Sequence, residues 1–83
     1  MSKITIYSTT TCGYCKMLKS YLQSKDITYD EKLADLDQKY AQELYDQSGQ
    51  LGVPFTIIEK EDGSVEGVLG FDRPKIDAAL GLN

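Results

Sequence analysis

Cys12-Gly13-Tyr14-Cys15 follows a short β-like run, Lys3-Ile4-Thr5-Ile6-Tyr7, and precedes a helical pattern. A helix starting near Cys12 places Cys15 one turn further on, on the same side. A disulfide can then close inside one turn, with Cys12 at the helix N-terminus. Unpaired backbone N–H groups and the positive end of the helix dipole favour a thiolate there. A lowered thiol pKa is what makes a cysteine a nucleophile near neutral pH. The chain contains no histidine, so the usual general base, the usual cysteine activator and the commonest metal ligand are all missing. Activation of Cys12 therefore falls to helix N–H groups and to nearby Lys16 or Lys19.

Around this turn the pattern alternates between strand and helix. Residues 3–7 predict a buried first strand, with Ile4 and Ile6 alternating against Thr5 and Tyr7. Ser8 to Thr11 is a hydroxyl-rich loop suited to capping the next helix. From Gly13 to Ser24, the residues Tyr14, Met17, Leu18, Tyr21 and Leu22 form an i, i+3/i+4 stripe, and Lys25-Asp26 is the turn that ends it. Ile27 to Ala34 predicts a second strand, less apolar than the first, as an edge strand would be. Asp35 or Asp37 can N-cap a second helix, and Asp35 with Gln38 fits a capping box. Tyr40, Ala41, Leu44 and Tyr45 supply that helix's stripe, and Gly49 is its left-handed stop. Val53-Pro54 opens a third strand, Phe55 to Glu59, since proline is tolerated at a strand's first residue. Glu61-Asp62-Gly63-Ser64 predicts a hairpin turn, returning through Val65 to Leu69. Asp72 then caps a last helix with Pro74 in its first turn, Ile76, Ala79 and Leu80 inward, and Gly81 as the stop. The order is β-α-β-α-β-β-α, an α/β chain with one four-stranded mixed sheet and three flanking helices. Its βαβ half is expected to be right-handed.

The totals narrow the function classes. Eighty-three residues predict one domain, spanning 1–83. A net charge of −4, with no Lys/Arg stripe to follow phosphates, argues against nucleic acid. Apolar runs of only a few residues predict no membrane span, and no apolar signal-peptide region follows Met1-Ser2-Lys3. The expectation is a cytoplasmic protein. A secreted domain stapled by disulfides needs more than one cysteine pair, and a two-residue loop is too small to stabilise a fold. In a reducing compartment the spacing points to redox chemistry or metal binding. A structural zinc site takes four ligands, whereas this chain offers two thiolates and no imidazole, so only a dimer could complete one. Lys16 and Lys19 otherwise line a solvated helix face. Tyr14, between the thiols, either packs on the helix or shapes a substrate groove.

With Cys12-Gly13-Tyr14-Cys15 in its strand–loop–helix setting, followed by Val53-Pro54 and Gly70-Phe71-Asp72, the sequence resembles the glutaredoxins, essentially end to end. More closely, it looks like the short bacterial glutaredoxin-like proteins, some of which reduce ribonucleotide reductase. The resemblance implies a thioredoxin fold, with Cys12 as nucleophile and Cys15 as resolving thiol. It also implies a cis Val53-Pro54 bond that leaves the Val53 backbone free to pair with a substrate strand. Thr11, Gly13, Tyr14, Val53, Pro54, Gly70, Phe71 and Asp72 are the implied substrate-binding positions. No tightly bound cofactor is implied, glutathione is a possible co-substrate, and the chain is expected to act as a monomer. Its partners are then disulfide-containing proteins or glutathione. Common glutaredoxins have Pro at the place of Gly13, often Lys at that of Thr9, Thr at that of Gly52, and Gly-Gly followed by acidic residues at that of Gly70-Phe71-Asp72. Gly-Phe there resembles the ribonucleotide-reductase donors, which draw electrons from thioredoxin reductase. Glutathione with its reductase is the other source. Asp72, with its helix N-terminus and Arg73, either caps that helix alone or binds a glutathione carboxylate or a partner protein. Gly13 also permits the competing glutathione-coordinated [2Fe–2S] cluster between two subunits.

Overall fold

A computed structural model describes residues 3–81. It contains β1 (Lys3–Ser8), α1 (Gly13–Ser24), β2 (Asp30–Leu33), α2 (Gln38–Ser48), β3 (Phe55–Glu59), β4 (Val65–Leu69) and α3 (Arg73–Leu80). The strands form one sheet in the order β2-β1-β3-β4. β1 and β2 are parallel, and the β1/β3 and β3/β4 pairs are antiparallel. The mixed four-stranded sheet and three helices expected from the pattern are therefore present.

Alternation along the strands sorts the core onto two faces. On one, Ile4, Ile6, Ile58 and Val68 pack against Leu18 and Leu22 of α1 and Ile76 and Ala79 of α3. On the other, Tyr7, Phe55 and Ile57 pack against Leu44 of α2. α2 is held there by polar contacts as well. The Tyr7 hydroxyl donates to Glu43 at 2.9 Å, and Lys32 of β2 reaches the same carboxylate at 2.9 Å. Hydrogen bonds from Lys32 and Tyr7 hold the Glu43 carboxyl below the ordinary range.

Several elements differ from the sequence pattern. The second strand begins at Asp30 rather than Ile27 because the Ile27 N–H is taken by the Leu22 carbonyl at the end of α1, at 3.0 Å. Asp26, at φ 56°, turns the chain there. Ile27 and Tyr29 still pack against the α1 side of the core. The Asp35/Gln38 capping box does not form; Asp37 caps α2 by accepting from the Lys39 N–H at 2.9 Å. On α1 the buried line is Cys15, Leu18 and Leu22, while Tyr14 and Met17 are exposed. Leu18 and Leu22 are thus buried as expected, Tyr21 packs partly buried beside them, and Cys15 extends the line in place of Tyr14 and Met17. On α2 only Leu44 is buried, and Tyr45 is exposed. Leu80 is half-buried, while Ile76 and Ala79 point inward as expected. Gly49 and Gly81 both end their helices in the left-handed conformation.

Gly67 is required by a close approach. A Cβ there would lie 2.8 Å from Cζ of Phe55, whose ring is buried across β4. Gly67→Ala should therefore destabilise the fold by about 1–3 kcal/mol, the range for overpacking a filled site. Urea unfolding measures this. Phe55→Leu, which shortens the offending group, should make the double variant less destabilised than the sum of the singles. Strict additivity would exclude the clash as the cause.

Candidate active site

The site forms where the C-terminal end of β1 turns into α1. The hydroxyl-rich loop 8–11 does not cap the helix. Cys12 does so itself, in an extended conformation (φ −87°, ψ 111°), with its Sγ accepting from the Cys15 N–H at 3.1 Å. The cap is thus the sulfur atom, placed against a free N–H at the positive end of α1. Cys12 and Cys15 are joined as a disulfide, their Cα atoms 5.2 Å apart. Their environments differ: Cys12 is half-buried, whereas Cys15 is 0% exposed on the inner face of α1.

The displaced hydroxyls hold the loop from below. Thr10 donates to the Asp35 carboxylate through its N–H at 3.0 Å and its hydroxyl at 2.6 Å. These bonds, the hydroxyl's first, hold the Asp35 carboxyl below the ordinary range. Ser8 is fully buried and donates to Glu31 at 2.7 Å. Lys19 pairs with the same Glu31 oxygen at 2.7 Å. Burial raises the Glu31 pKa, but the hydrogen bonds from Lys19 and Ser8 outweigh it and leave the carboxyl below its usual value. Lys19 is therefore engaged away from Cys12, while Lys16 is exposed and, among the described residues, has no ion-pair partner.

Two further segments reach the same end of the sheet. Tyr7 is in register with Phe55, and Phe55 with Leu69. Pro54 and Gly70 thus continue β3 and β4 beside the β1 exit, and the Gly70 N–H donates to the Pro54 carbonyl at 2.7 Å. The Val53-Pro54 bond is cis, as the resemblance implies. Among the described residues, neither the N–H nor the C=O of Val53 has a hydrogen-bond partner. Thr11, Gly13 and Tyr14 are exposed beside the thiols, and a Cβ at Gly13 would meet nothing within 4 Å. Phe71 turns inward, its ring 6.0 Å from that of Tyr21. Asp72 caps α3, accepting from the Lys75 N–H at 3.3 Å, and Arg73 lies 4.6 Å over the Tyr21 ring. Phe71 is thus half-buried against the core, with part of its surface left open. The Thr10–Asp35 contact and the Ser8–Glu31–Lys19 cluster are not among the sequence expectations, which place Asp35 at the α2 cap and Lys19 beside Cys12. The strand alternation carried a signal for the second, since it places Ser8 on the inner face with Ile4 and Ile6. Among the described residues, no three His, Cys, Asp or Glu side chains are grouped to hold a metal ion. No helix among them is long and apolar enough to cross a membrane.

The sequence profile of the glutaredoxin family matches residues 4–62, spanning the cysteine pair and Val53-Pro54. The chain belongs to the glutaredoxin family. It is 44% identical over 78 residues to an uncharacterized glutaredoxin-like 8.6 kDa protein of the rubredoxin operon in Clostridium pasteurianum, covering 93% of this chain and 96% of that protein. It is 31% identical over 61 residues to glutaredoxin 3 of Escherichia coli K12, covering 74% of each. A crystallised variant of a thioredoxin-like protein superposes with a TM-score of 0.82 at 26% identity, covering 100% of both chains. The fold is the thioredoxin fold. Family and cysteine pair together make the chain a thiol-disulfide oxidoreductase.

The Thr10–Asp35 contact has a pH signature. Because the folded-state pKa of Asp35 is depressed, the stability it contributes is present above the unfolded value of about 3.9. That contribution is lost as pH falls through the lower folded value. Asp35→Asn should therefore lower the urea midpoint at neutral pH, and the gap from the parent should close in strong acid. A gap independent of pH would remove Asp35's charge from the account.

Proposed function

We propose that the chain reduces protein disulfides and glutathione mixed disulfides, with Cys12 as nucleophile and Cys15 as resolving thiol. The supporting observation is the asymmetry of the pair: Cys12 is half-exposed at the helix cap, and Cys15 is fully buried behind it. In-line attack on a substrate disulfide needs an accessible sulfur, whereas resolution needs only reach. The Cys12 thiolate attacks one substrate sulfur, forming a mixed disulfide and expelling the other as a thiolate. Cys15, deprotonated by a solvent base, then attacks Cys12 and releases the remaining substrate thiolate, which takes a proton from water. The chain is left with the Cys12–Cys15 disulfide. Two electrons from an external dithiol system, thioredoxin reductase or glutathione with its reductase, restore the pair.

The free Val53 N–H and C=O support docking of an extended substrate backbone by strand addition. Tyr14 (65% exposed) and Leu51 (62% exposed), each close in sequence to one of these elements, favour apolar flanks on a polypeptide substrate. Thr11, Gly13, Pro54, Gly70 and Asp72 complete the substrate-facing end in this reading. The protein acts as a cytoplasmic monomer in electron transport and redox homeostasis, with no tightly bound cofactor.

Brief iodoacetamide treatment of the reduced protein should alkylate Cys12 first, with an apparent pKa below the ~8.5 of a free thiol. Cys12→Ser should abolish disulfide reduction, and Cys15→Ser should trap mixed disulfides. Faster labelling of Cys15 would reverse the roles. Offering the oxidised protein NADPH with thioredoxin reductase, or with glutathione and glutathione reductase, identifies the electron source. Reduction by neither would count against both proposed sources.

A further inference from the structure

Where β1, β2 and α1 meet lies a charged cluster that the two exchange steps do not use. Ser8, fully buried at the end of β1, and Lys19, on α1, both donate to one oxygen of Glu31 on β2, each at 2.7 Å. Lys19 is four residues after Cys15, so the two side chains lie on one face of α1 with Cβ atoms about 6 Å apart. Three elements that could be joined by apolar packing alone are joined here by an ion pair and a buried hydroxyl. The other charges on this side of the sheet are engaged elsewhere or solvated. Arg73 lies over Tyr21, Asp77 accepts from the Tyr21 hydroxyl, Glu66 pairs with Lys60 at 3.2 Å, Asp72 caps α3, and Lys16 is exposed. Among the described residues, β1 and β3 bring no charge to this face within their buried stretches. Lys19 is thus the cation one helical turn from Cys15 on its own face of α1, and Glu31 is its counter-ion.

We propose that Glu31 is a positioning residue for the resolving step: anchored by Ser8, it holds and neutralises the Lys19 ammonium one turn below Cys15, and so sets how readily the buried thiol ionises. This inference rests on the assignment of Cys15 as resolving thiol. The ionisation is the loss of the Cys15 proton to a solvent base before its thiolate attacks Cys12. An uncompensated Lys19 would stabilise that thiolate in a site where charge is poorly solvated. A compensated one leaves the thiol protonated until the mixed disulfide has formed, so the pair favours Cys12 as first attacker.

The test uses the full chain with Cys12→Ser, which leaves Cys15 as the sole thiol, and follows thiolate absorbance near 240 nm against pH. This readout needs no access for a reagent. Glu31→Gln should lower the Cys15 midpoint by about one pH unit, the scale expected for an unmasked charge one helical turn away. Lys19→Met, with Glu31 retained, should raise it, and the double variant should return close to the parent. Lys19→Arg should keep the parent midpoint. A purely structural tie would alter unfolding midpoints in these variants while leaving the thiol titration in place, and that result would overturn the proposal. An unmoved midpoint with normal disulfide reduction by the unsubstituted chain would sink this inference but leave the proposed function standing. Shifted midpoints in a protein unable to reduce disulfides would do the reverse.

Discussion

One hydrogen bond organises the functional end of the molecule: the Cys15 N–H donating to the Cys12 sulfur. It makes Cys12 both the last residue of the loop and the cap of α1, so the atom that carries the chemistry also satisfies an orphan helix donor. A sulfur in that place experiences the helix dipole directly, and its lone pairs already face a donor. The next turn of the helix, Leu18 and Leu22, is embedded in the main apolar cluster. Packing there fixes the helix axis, and with it the direction in which the first turn presents the two sulfurs. Burial of Cys15 follows from the same packing, because it stands on the line that Leu18 and Leu22 continue.

The two faces of the sheet do different work. α1 and α3 share the apolar cluster and are further linked by the Tyr21 hydroxyl donating to Asp77, with Phe71 and Arg73 against the Tyr21 ring. The segment entering α3 is thereby tied to the helix that carries Cys15. On the opposite face, α2 contributes one buried leucine and relies on Tyr7, Lys32 and Glu43 for its seat. Glu43 takes two hydrogen bonds there, and its depressed pKa means that the seat is strongest where the carboxylate is ionised. The loop before α2 also carries Asp35, which holds Thr10. Both faces thus reach the active-site loop, one through the floor of α1 and the other through a side-chain clasp.

Element order, the strand–loop–helix setting of the cysteines, the Asp72 cap and the glycine stops were legible in the sequence because each rests on local chemistry. Period-2 and period-3.6 patterns, a capping carboxylate or a left-handed glycine act within a few residues of chain. The family motifs likewise lie in short stretches, at Cys12–Cys15, Val53-Pro54 and Gly70–Asp72. Tertiary structure decided what depends on neighbours distant along the chain. It moved the α1 core line from Tyr14 and Met17 to Cys15, because burial is set by what the sheet presents to the helix. It shortened β2, because the carbonyls at the end of α1 captured Ile27. It took Asp35 from its predicted helix cap to Thr10, 25 positions away in sequence, and Lys19 from the nucleophile to Glu31. Those partners compete for the same hydrogen bonds as the local ones, and only the approach of β1, β2 and α1 in space determines which of them is within reach.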